Sequence, residues 1–527
     1  MSIKNVVVWA TLITLVSIQP QQLRAQSDSF EWTGMGSNTA WNNVDNWLNL
    51  TSGQPGFPVL GDNALFTLSD NVTGGAASVL EVSSGSILTL GGGVSNSLSV
   101  DTTILNQGEI AFGADTSGND IAGSPDQRIL IVGDTQLGGG GTISLSGGET
   151  GVAGTNVTFT NLDNTFQGRG TIAEVAGDFQ FNNRGMIVPE FGEIFVTNLT
   201  LDNSDGVIDV TPSGTFRAPG SSVSGGVING QGGNARFNTG DANDALGTLS
   251  DVTLTGEILV GGPDTGFNIN ANSLGITGTI TNNGEIGFQA DTVGSDLTGP
   301  DQRILVNSSA TIAGTGSITL NGNETGIVST NNSTLINDGN IIQGNGVVSA
   351  IIDNRGTLFA SSTVGDLIFQ NNVVLRPSGV VAVGLNGFNF TQTQQLVFDL
   401  PLDINGTLKL VVGDNFDAAV GTTRTILTTP ILGGPLAFPQ IDTSMTQSLT
   451  RGFEFDVILN PSSVQIEVTN RYLRGDVNQD GIVDLLDVAP FVNLIVEGAF
   501  QLEGDLNGDG TVDLLDVAPF TTLLIGG

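Results

Sequence analysis

Hydrophobic residues between positions 75 and 400 occur in short runs that lack the three-to-four-residue spacing of an amphipathic helix. The runs are rich in Val, Ile and Thr, and Asn-Gly and Gly-Gly pairs separate them. This pattern is typical of short β-strands joined by tight turns. We expect Gly to form positive-φ corners and Asn side chains to stack in a ladder with their copies. The motif behind this expectation, Asn-x-Gly-x-Ile or Leu, begins at Asn106, Asn183, Asn282, Asn337 and Asn354.

A tandem duplication joins these runs into one array. Four short segments recur 175 or 176 residues later, and their first residues are Gly108/Gly284, Pro125/Pro300, Glu149/Glu324 and Gln167/Gln343. A near-constant offset over about 60 residues indicates a repeat architecture. With about 20 residues and about 4.8 Å per coil, the region predicts a parallel β-helix of ~16 coils, about 75 Å long.

The pattern changes between residues 401 and 470. Four strand candidates follow one another, at 406–412, 424–427, 453–459 and 463–468. Most of them alternate polar and apolar residues with the two-residue period of half-buried antiparallel strands. We therefore expect a C-terminal antiparallel cap that covers the exposed edge of the last coil.

The most specific motif lies at the end of the chain. The segment Asp-Val-Asn-Gln-Asp-Gly-Ile-Val-Asp-Leu-Leu-Asp at 476–487, the first loop, recurs 29 residues later at 505–516, the second loop. This spacing of oxygen-bearing residues matches a twelve-residue calcium loop, with Gly at the sharp bend. In the first loop the predicted ligands at positions 1, 3, 5, 7, 9 and 12 are Asp476, Asn478, Asp480, Ile482, Asp484 and Asp487. In the second loop they are Asp505, Asn507, Asp509, Thr511, Asp513 and Asp516.

The paired loops, each followed by Val-Ala-Pro-Phe and an apolar run, resemble a type I dockerin over residues 475–527. The resemblance implies two calcium ions, one helix after each loop, and attachment to a cohesin-like protein or a surface scaffold. The apolar runs predict helices from Leu485 to Ile495 and from Leu514 to Ile525, starting late or bending at Pro490 and Pro519. Asp in place of Glu at position 12 is usual in dockerins and departs from calcium sensors.

Positions 10 and 11 of the loops leave two alternatives. Dockerins often carry a Ser-Thr type pair there that touches cohesin, but this chain has Leu485-Leu486 and Leu514-Leu515. Either the partner surface is apolar or the leucines pack the two halves together. Paired apolar residues at helical spacing are more often core, so the pattern favours packing.

The segment after residue 26 carries Trp32, Trp41 and Trp47, followed by Gly-Asp-Asn-Ala at 61–64. It resembles the opening segment of bacterial proteins with autotransporter-associated β-strand repeats. The order of strands in 401–470 is similar to the closing segment of the same family. The tryptophans either form a sugar-stacking platform or cap the open end of a solenoid, and large aromatics favour the cap.

Composition narrows the possible functions. Cys and His are both absent, which excludes disulfides, thiolate or imidazole metal sites and a Ser-His-Asp triad. The formal charge of −37 disfavours nucleic-acid and anionic-lipid partners. Lys4 precedes an apolar run over residues 6–18, which predicts a signal peptide cleaved near Gln26 and no anchor in the mature chain.

Parallel β-helices also host lyases and polysaccharide hydrolases, which need converging carboxylates or a basic residue beside a metal. The best candidates are Asp126-Gln-Arg128 and its copy Asp301-Gln-Arg303, where Asp and Arg share one face of a strand. A structural ion pair is the favoured interpretation, because the pair occurs in both copies. No catalytic residue is therefore assigned.

Together these patterns predict a mainly β chain: a right-handed parallel β-helix between an N-terminal cap and a C-terminal antiparallel β cap, followed by a small α-helical calcium module. The expected boundaries are 1–25 (signal peptide), 26–74 (cap), 75–400 (β-helix, duplicated over about 100–190 and 275–360), 401–470 (β cap) and 471–527 (dockerin-like module). The expected function is a secreted or cell-surface structural or adhesive protein of bacterial type. The alternatives are a docked polysaccharide-degrading enzyme and a carbohydrate-binding protein.

Overall fold

The computed structural model describes residues 27–91, 96–113, 125–238, 247–261, 273–288, 302–361, 365–391, 393–413, 415–433, 438–445 and 451–526. The expected signal peptide lies outside these residues. Within them, no helix is long and apolar enough to cross a membrane.

The N-terminal elements comprise a short 3-10 helix at Val44–Asn46 and four strands, β1 (Ser29–Trp32), β2 (Trp47–Asn49), β3 (Asn63–Phe66) and β4 (Asp70–Val72). The strands that follow are β5 (Gly75–Val82), β6 (Ile87–Leu90), β7 (Asn96–Asn106), β8 (Glu109–Phe112), β9 (Gln127–Ile131), β10 (Thr135–Gly138), β11 (Thr142–Asn161), β12 (Thr165–Asn183), β13 (Met186–Thr197), β14 (Thr200–Asp202), β15 (Val207–Val210), β16 (Thr215–Arg217), β17 (Ser222–Ser224), β18 (Val227–Asn238) and β19 (Thr248–Val260).

The second half continues with β20 (Ser273–Asn282), β21 (Glu285–Phe288), β22 (Gln302–Ala313), β23 (Ser317–Ser329), β24 (Thr334–Asp338), β25 (Ile341–Val348), β26 (Ile351–Asn354), β27 (Thr357–Ala360), β28 (Leu367–Phe369), β29 (Val373–Leu375), β30 (Val380–Leu385), β31 (Leu396–Phe398), β32 (Leu402–Asp403), β33 (Thr407–Val412), β34 (Thr423–Thr428), β35 (Leu432–Gly433) and β36 (Gln440–Met445). The last elements are β37 (Arg451–Asn460), β38 (Ser463–Leu473), α1 (Val488–Glu497) and α2 (Val517–Gly526).

Parallel pairing between successive coils builds a solenoid. On one face each strand aligns one inward-facing residue with its counterpart in the next coil, so that apolar side chains form continuous columns in the core. One column contains Leu88, Ile110, Ile143, Phe166, Ile187, Ile208 and Ile228. A second contains Ile286, Ile318, Ile342, Leu358, Val381 and Leu408. All of these residues are buried, as the alternation of short strands requires.

Asparagine side chains connect neighbouring coils at the corners. Asn106 Nδ2 donates to Asn164 Oδ1 at 2.9 Å, and the backbone N–H of Asn164 donates to Asn161 Oδ1 at 2.9 Å. Asn161 Nδ2 donates to Asn183 Oδ1 at 2.8 Å, and Asn183 Nδ2 donates to Asn203 Oδ1 at 2.7 Å. All five residues are fully buried. The predicted asparagine ladder is confirmed.

The duplication seen in the sequence recurs in the hydrogen bonds. Asn106 and its copy Asn282 each donate to an asparagine 58 residues further on, and the second bond, to Asn340, measures 2.8 Å. Thr150 Oγ1 and its copy Thr325 Oγ1 each donate to a glycine carbonyl three residues earlier, both at 2.8 Å. The two copies therefore share the hydrogen bonds that shape their turns.

The N-terminal segment closes one end of the solenoid. Strand β1 pairs antiparallel with β2 and parallel with β3, which starts the stack. Trp32, Trp41 and Trp47 are buried around Phe66 and meet one another mostly edge to face. Trp41 Nε1 donates to the carbonyl of Pro58 at 2.7 Å, which satisfies its polar edge. The three tryptophans are buried, as the cap interpretation expects, and they form no exposed sugar platform.

The C-terminal end differs from the predicted antiparallel cap. Strand β33 pairs parallel with both β30 and β36, so it extends the solenoid. Strand β34 pairs parallel with β31 and antiparallel with β38, and β37 and β38 form an antiparallel hairpin. The prediction was wrong for the first of its four strands, because a two-residue period reports which side chains face inward and carries no information on strand direction.

Candidate calcium site

The two C-terminal helices begin three residues later than the sequence predicts. Helix α1 starts at Val488 and α2 at Val517, since the leucine pairs lie in the turns that precede them. Pro490 and Pro519 therefore occupy the third position of each helix, where the missing N–H breaks no helical hydrogen bond. The expected late start is confirmed. Gly498, at φ 62°, ends α1 in the left-handed conformation.

A small apolar core joins the two halves of the module. Phe491 of α1 and Phe520 of α2 are buried and stack with ring centroids 4.2 Å apart. Val477, Leu506 and Val512, which belong to the loops, are buried in the same cluster. This cluster is separate from the core of the solenoid.

In the first loop, carboxylates at positions 1 and 12 organise the backbone. Asp487 Oδ1 accepts from the N–H of Asn478 and Oδ2 from the N–H of Asp484, both at 2.9 Å. Asp476 Oδ1 accepts from Asp480 N at 3.0 Å and Oδ2 from Gly481 N at 2.8 Å. Gly481 has φ 91°, a left-handed conformation that favours glycine at the bend.

The second loop repeats this arrangement. Asp516 Oδ1 accepts from the N–H of Asn507 and Oδ2 from the N–H of Asp513, both at 2.9 Å. Asp505 Oδ2 accepts from Gly510 N at 2.9 Å. Burial raises the pKa of Asp505, while the amides of Gly510 and Gly508 oppose that shift. Asp516, like Asp487, is fully buried.

The remaining predicted ligands lie on the exposed side of each loop. Asn478 Nδ2 donates to Asp480 Oδ2 at 3.0 Å, and Asn507 Nδ2 donates to Asp509 Oδ2 at 2.9 Å. Asp484 Oδ1 and Asp513 Oδ1 accept from the amides of Leu486 and Leu515, each at 2.7 Å. Ile482 and Thr511 occupy position 7, where the calcium-loop pattern uses a backbone carbonyl. The Thr511 hydroxyl holds the pKa of Asp509 below its usual value by donating to it.

The donor set fits a hard divalent cation. Both loops offer carboxylate, amide and backbone oxygens, and the chain has no His or Cys to favour a softer metal. Among the described residues, no group of three or more acidic side chains stands in an arrangement that would itself hold a metal ion. In both loops the carboxylates instead accept hydrogen bonds from nearby amides of their own loop. A calcium ion in either loop would share these carboxylates with the amides, because the two oxygens of an ionised carboxylate accept about four contacts.

The leucine pairs do not pack the two halves together. Leu485 is 81% exposed and Leu514 is 77% exposed, and the adjoining Leu486 and Leu515 are both 67% exposed. The favoured interpretation was wrong, because the core between the helices is filled by Phe491 and Phe520 instead. Four large apolar side chains therefore face solvent beside the loops.

The Asp-Gln-Arg candidates behave as part of the architecture. Asp126 is fully buried, and Arg128 Nε donates to Ser97 Oγ at 3.0 Å. Burial lowers the pKa of Arg128, and the charge of Asp126 opposes that shift. In the copy, Arg303 Nε makes the same bond to Ser273 Oγ at 3.3 Å, whereas Asp301 lies outside the described residues.

Sequence reasoning missed one groove on the solenoid. A cavity of about 570 Å³ is lined by Glu257 and Glu285, with Thr319, Gln343 and Asn345 further along. Glu257 and Glu285 are register partners on adjacent strands, and Thr319 Oγ1 donates to Glu285 Oε1 at 2.8 Å. In the sequence, the only indication of this pair is that Glu257 and Glu285 are separated by the length of one coil. Comparison with protein-family models and with curated proteins finds no match to this chain.

Proposed function

We propose that this chain is a secreted or cell-surface structural or adhesive rod that attaches through a calcium-dependent, dockerin-like module. The rod is a right-handed coil in this proposal, since parallel crossover connections are right-handed almost without exception. The module binds two calcium ions, one in each loop, through the residues at positions 1, 3, 5, 7, 9 and 12. The protein acts outside the cytoplasm, where calcium is abundant.

The observation that carries the proposal is the matched pair of fully buried carboxylates, Asp487 and Asp516. Each closes a twelve-residue loop, accepts amide hydrogen bonds on both oxygens and shares its loop with three further aspartates. Burying a carboxylate is costly unless a positive charge compensates it. A calcium ion in each loop supplies that charge, and in so small a module metal binding stabilises the fold directly.

The exposed leucine pairs support attachment to a protein with an apolar face, such as a cohesin-like domain. Because the loop sequences are duplicated, the module presents the same Leu-Leu pair twice, once beside each helix start. Exposed apolar patches of this kind mark protein interaction sites. The helix ends add Val496 and Ile525, which are 78% and 79% exposed.

The test measures retention of the purified chain on the surface of the producing bacterium. We expect retention in millimolar calcium, release by chelator, and loss of retention when Leu485, Leu486, Leu514 and Leu515 are all replaced by Ser. Thr521→Ala, on the exposed side of α2, serves as the matched control. Retention that is indifferent to both chelator and leucine replacement would contradict the proposal.

The paired glutamates keep a second candidate function open, hydrolysis of a polysaccharide in the groove at Glu257 and Glu285. Two carboxylates about 5 Å apart characterise retaining glycosidases, and neighbouring strands bring register partners to about that distance. Polysaccharide depolymerisation that is abolished by both Glu257→Gln and Glu285→Gln would support it. Wild-type protein that cleaves no acidic or neutral polysaccharide would exclude it.

A further inference from the structure

The two loops are close copies, but the residues that precede them carry opposite charges. Arg474 lies two residues before the first loop, and Glu503 lies two residues before the second. Each of them contacts the other loop. The Nη2 of Arg474 donates to the carbonyl of Leu506, at position 2 of the second loop. Glu503 Oε1 accepts from Gln479 Nε2, at position 4 of the first loop, at 3.1 Å.

Arg474 is a buried cation, only 3% exposed. Burial lowers its pKa, and Tyr472, Asp505 and Asp516 oppose that shift electrostatically. Arg474 and Asp505 line the same cavity, so the guanidinium lies beside the second loop. The amide of Leu506, the residue that Arg474 contacts, donates to Asp516 Oδ1 at 2.7 Å. The protein thus places a fixed positive charge beside the second loop.

The first loop has the opposite neighbour. Glu503 is half-buried, and its backbone carbonyl accepts from Gly475 N at 2.8 Å, which holds it next to the start of the first loop. A nearby carboxylate adds to the negative potential that attracts a divalent cation, whereas a nearby guanidinium reduces it. The predicted ligands of the two loops are the same residue types at every position except position 7. There the residue differs, but the predicted ligand is the backbone carbonyl in both loops.

We propose that the two calcium sites are unequal: the first loop is the tight site, and the second loop is a weak site because Arg474 competes electrostatically with the metal. This inference rests on the proposed calcium function and specifies how its two sites differ. Calcium fills the first loop at lower concentration and the second loop only at higher concentration.

The second loop also faces the junction with the solenoid. A cavity of about 640 Å³ lies there, lined by Phe455, Tyr472, Arg474, Asp505 and Asn507. Burial raises the pKa of Tyr472 to about 12. Filling the weak site therefore changes the surroundings of this tyrosine. Because the chain contains a single tyrosine, a fluorotyrosine label gives one signal, from the cavity that Asp505 and Asn507 of the second loop line.

The experiment is calcium titration of the full chain by calorimetry, together with ¹⁹F spectra of the fluorotyrosine-labelled protein. We expect two sites whose dissociation constants differ about tenfold or more. The Asp505→Ala variant should still bind calcium at the tight site, and the Asp476→Ala variant should still bind it at the weak site. The ¹⁹F signal should move only as the weak site fills. Two sites of equal affinity, or a tight site that survives in Asp476→Ala, would overturn the inference. A wild-type chain that takes up no calcium would overturn the proposed function itself.

Replacing Arg474 or Glu503 by a neutral residue tests whether their charges cause the difference in calcium affinity. Arg474→Gln should tighten the second site about tenfold and bring the two affinities together. Arg471→Gln is the matched control, since Arg471 pairs with Asp417 of the solenoid at 2.7 Å, and both affinities should stay unchanged. If Arg474→Gln fails to fold, Glu503→Gln replaces it and should weaken the first site alone. Unchanged affinities in the folded charge variant would refute the electrostatic origin of the difference.

Discussion

Phe491 and Phe520 stack face to face, with ring centroids 4.2 Å apart and planes inclined by 21°. Both phenylalanines follow Val-Ala-Pro in their repeats, so the same residue of each half meets its own copy. With Val477, Leu506 and Val512 they form the buried cluster of the module. A core this small has little capacity to absorb the loss of a ring, so the stability of the module depends on this pair.

Replacing Phe491 by Ala should destabilise the module by about 3–5 kcal/mol, because it removes a buried ring and leaves a cavity. Unfolding by urea in calcium, followed through the helical signal, measures the change. Val496→Ala, on the same helix but 78% exposed, is the control and should cost less than about 0.5 kcal/mol. Equal effects of the two substitutions would refute the role assigned to the aromatic pair.

The asparagine ladder should carry a measurable share of the solenoid's stability. Asn183→Ala removes the acceptor of Asn161 Nδ2 and the donor to Asn203 Oδ1. Each buried polar group left without its partner costs about 1–3 kcal/mol. Asn182→Ala is the control: Asn182 faces outward on the same strand and makes one 3.4 Å contact to Thr160. A lower melting temperature is expected for Asn183→Ala alone, and equal melting temperatures would contradict the ladder's role.

Acid should weaken the solenoid near Asp353. Hydrogen bonding from Arg376, at 2.8 Å, is the main cause that holds the pKa of Asp353 below its usual value, and Arg355 adds to it. Because the pKa of this carboxyl is lower in the folded protein than in the unfolded chain, its ionised form stabilises the fold. This stabilisation is fully present above the unfolded pKa, near 4, and is lost as the pH falls through the folded-state pKa.

Asp353→Asn should therefore lower the melting temperature at pH 7, and the difference from wild type should shrink below pH 4. The control is Asp442→Asn, whose partner Lys409 lies 3.5 Å away in an exposed pair. It should change little at any pH, because exposed ion pairs contribute little. A difference from wild type that stays constant from pH 7 to pH 3 would contradict the assignment.

Some features could be predicted from the sequence, because a residue type that recurs at one position of a repeat occupies the same environment in each copy. Asn183 and Asn354 recur at one position of a motif, and the structure places both in a ladder. Trp32, Trp41 and Trp47 are large enough that a solenoid end has to bury them. The parallel stack itself follows from inward residues that recur once per coil.

Other features depend on contacts between distant segments. The alternation of polar and apolar residues within β33 fits an antiparallel strand as well as a parallel one. Only its pairing with β30 shows that the strand is parallel. The sequence favours a core position for Leu485 and Leu514, because it does not reveal that Phe491 and Phe520 already fill that core. The roles of Arg474 and Glu503 depend on each reaching the opposite loop, for which the only sequence signal was their equivalent position before each loop.

In the function proposed above, calcium folds the module, whereas the solenoid folds without it. Hydrogen–deuterium exchange of the full chain, read peptide by peptide in calcium and in chelator, tests whether folding of the module depends on calcium. We predict that amides of α1, α2 and both loops are protected in calcium and exchange rapidly in chelator, while strands such as β12 and β25 stay protected in both. Asp476→Ala with Asp505→Ala should reproduce the chelator pattern in calcium. Equal protection of α1 and α2 with and without calcium would show that the module folds without the ion.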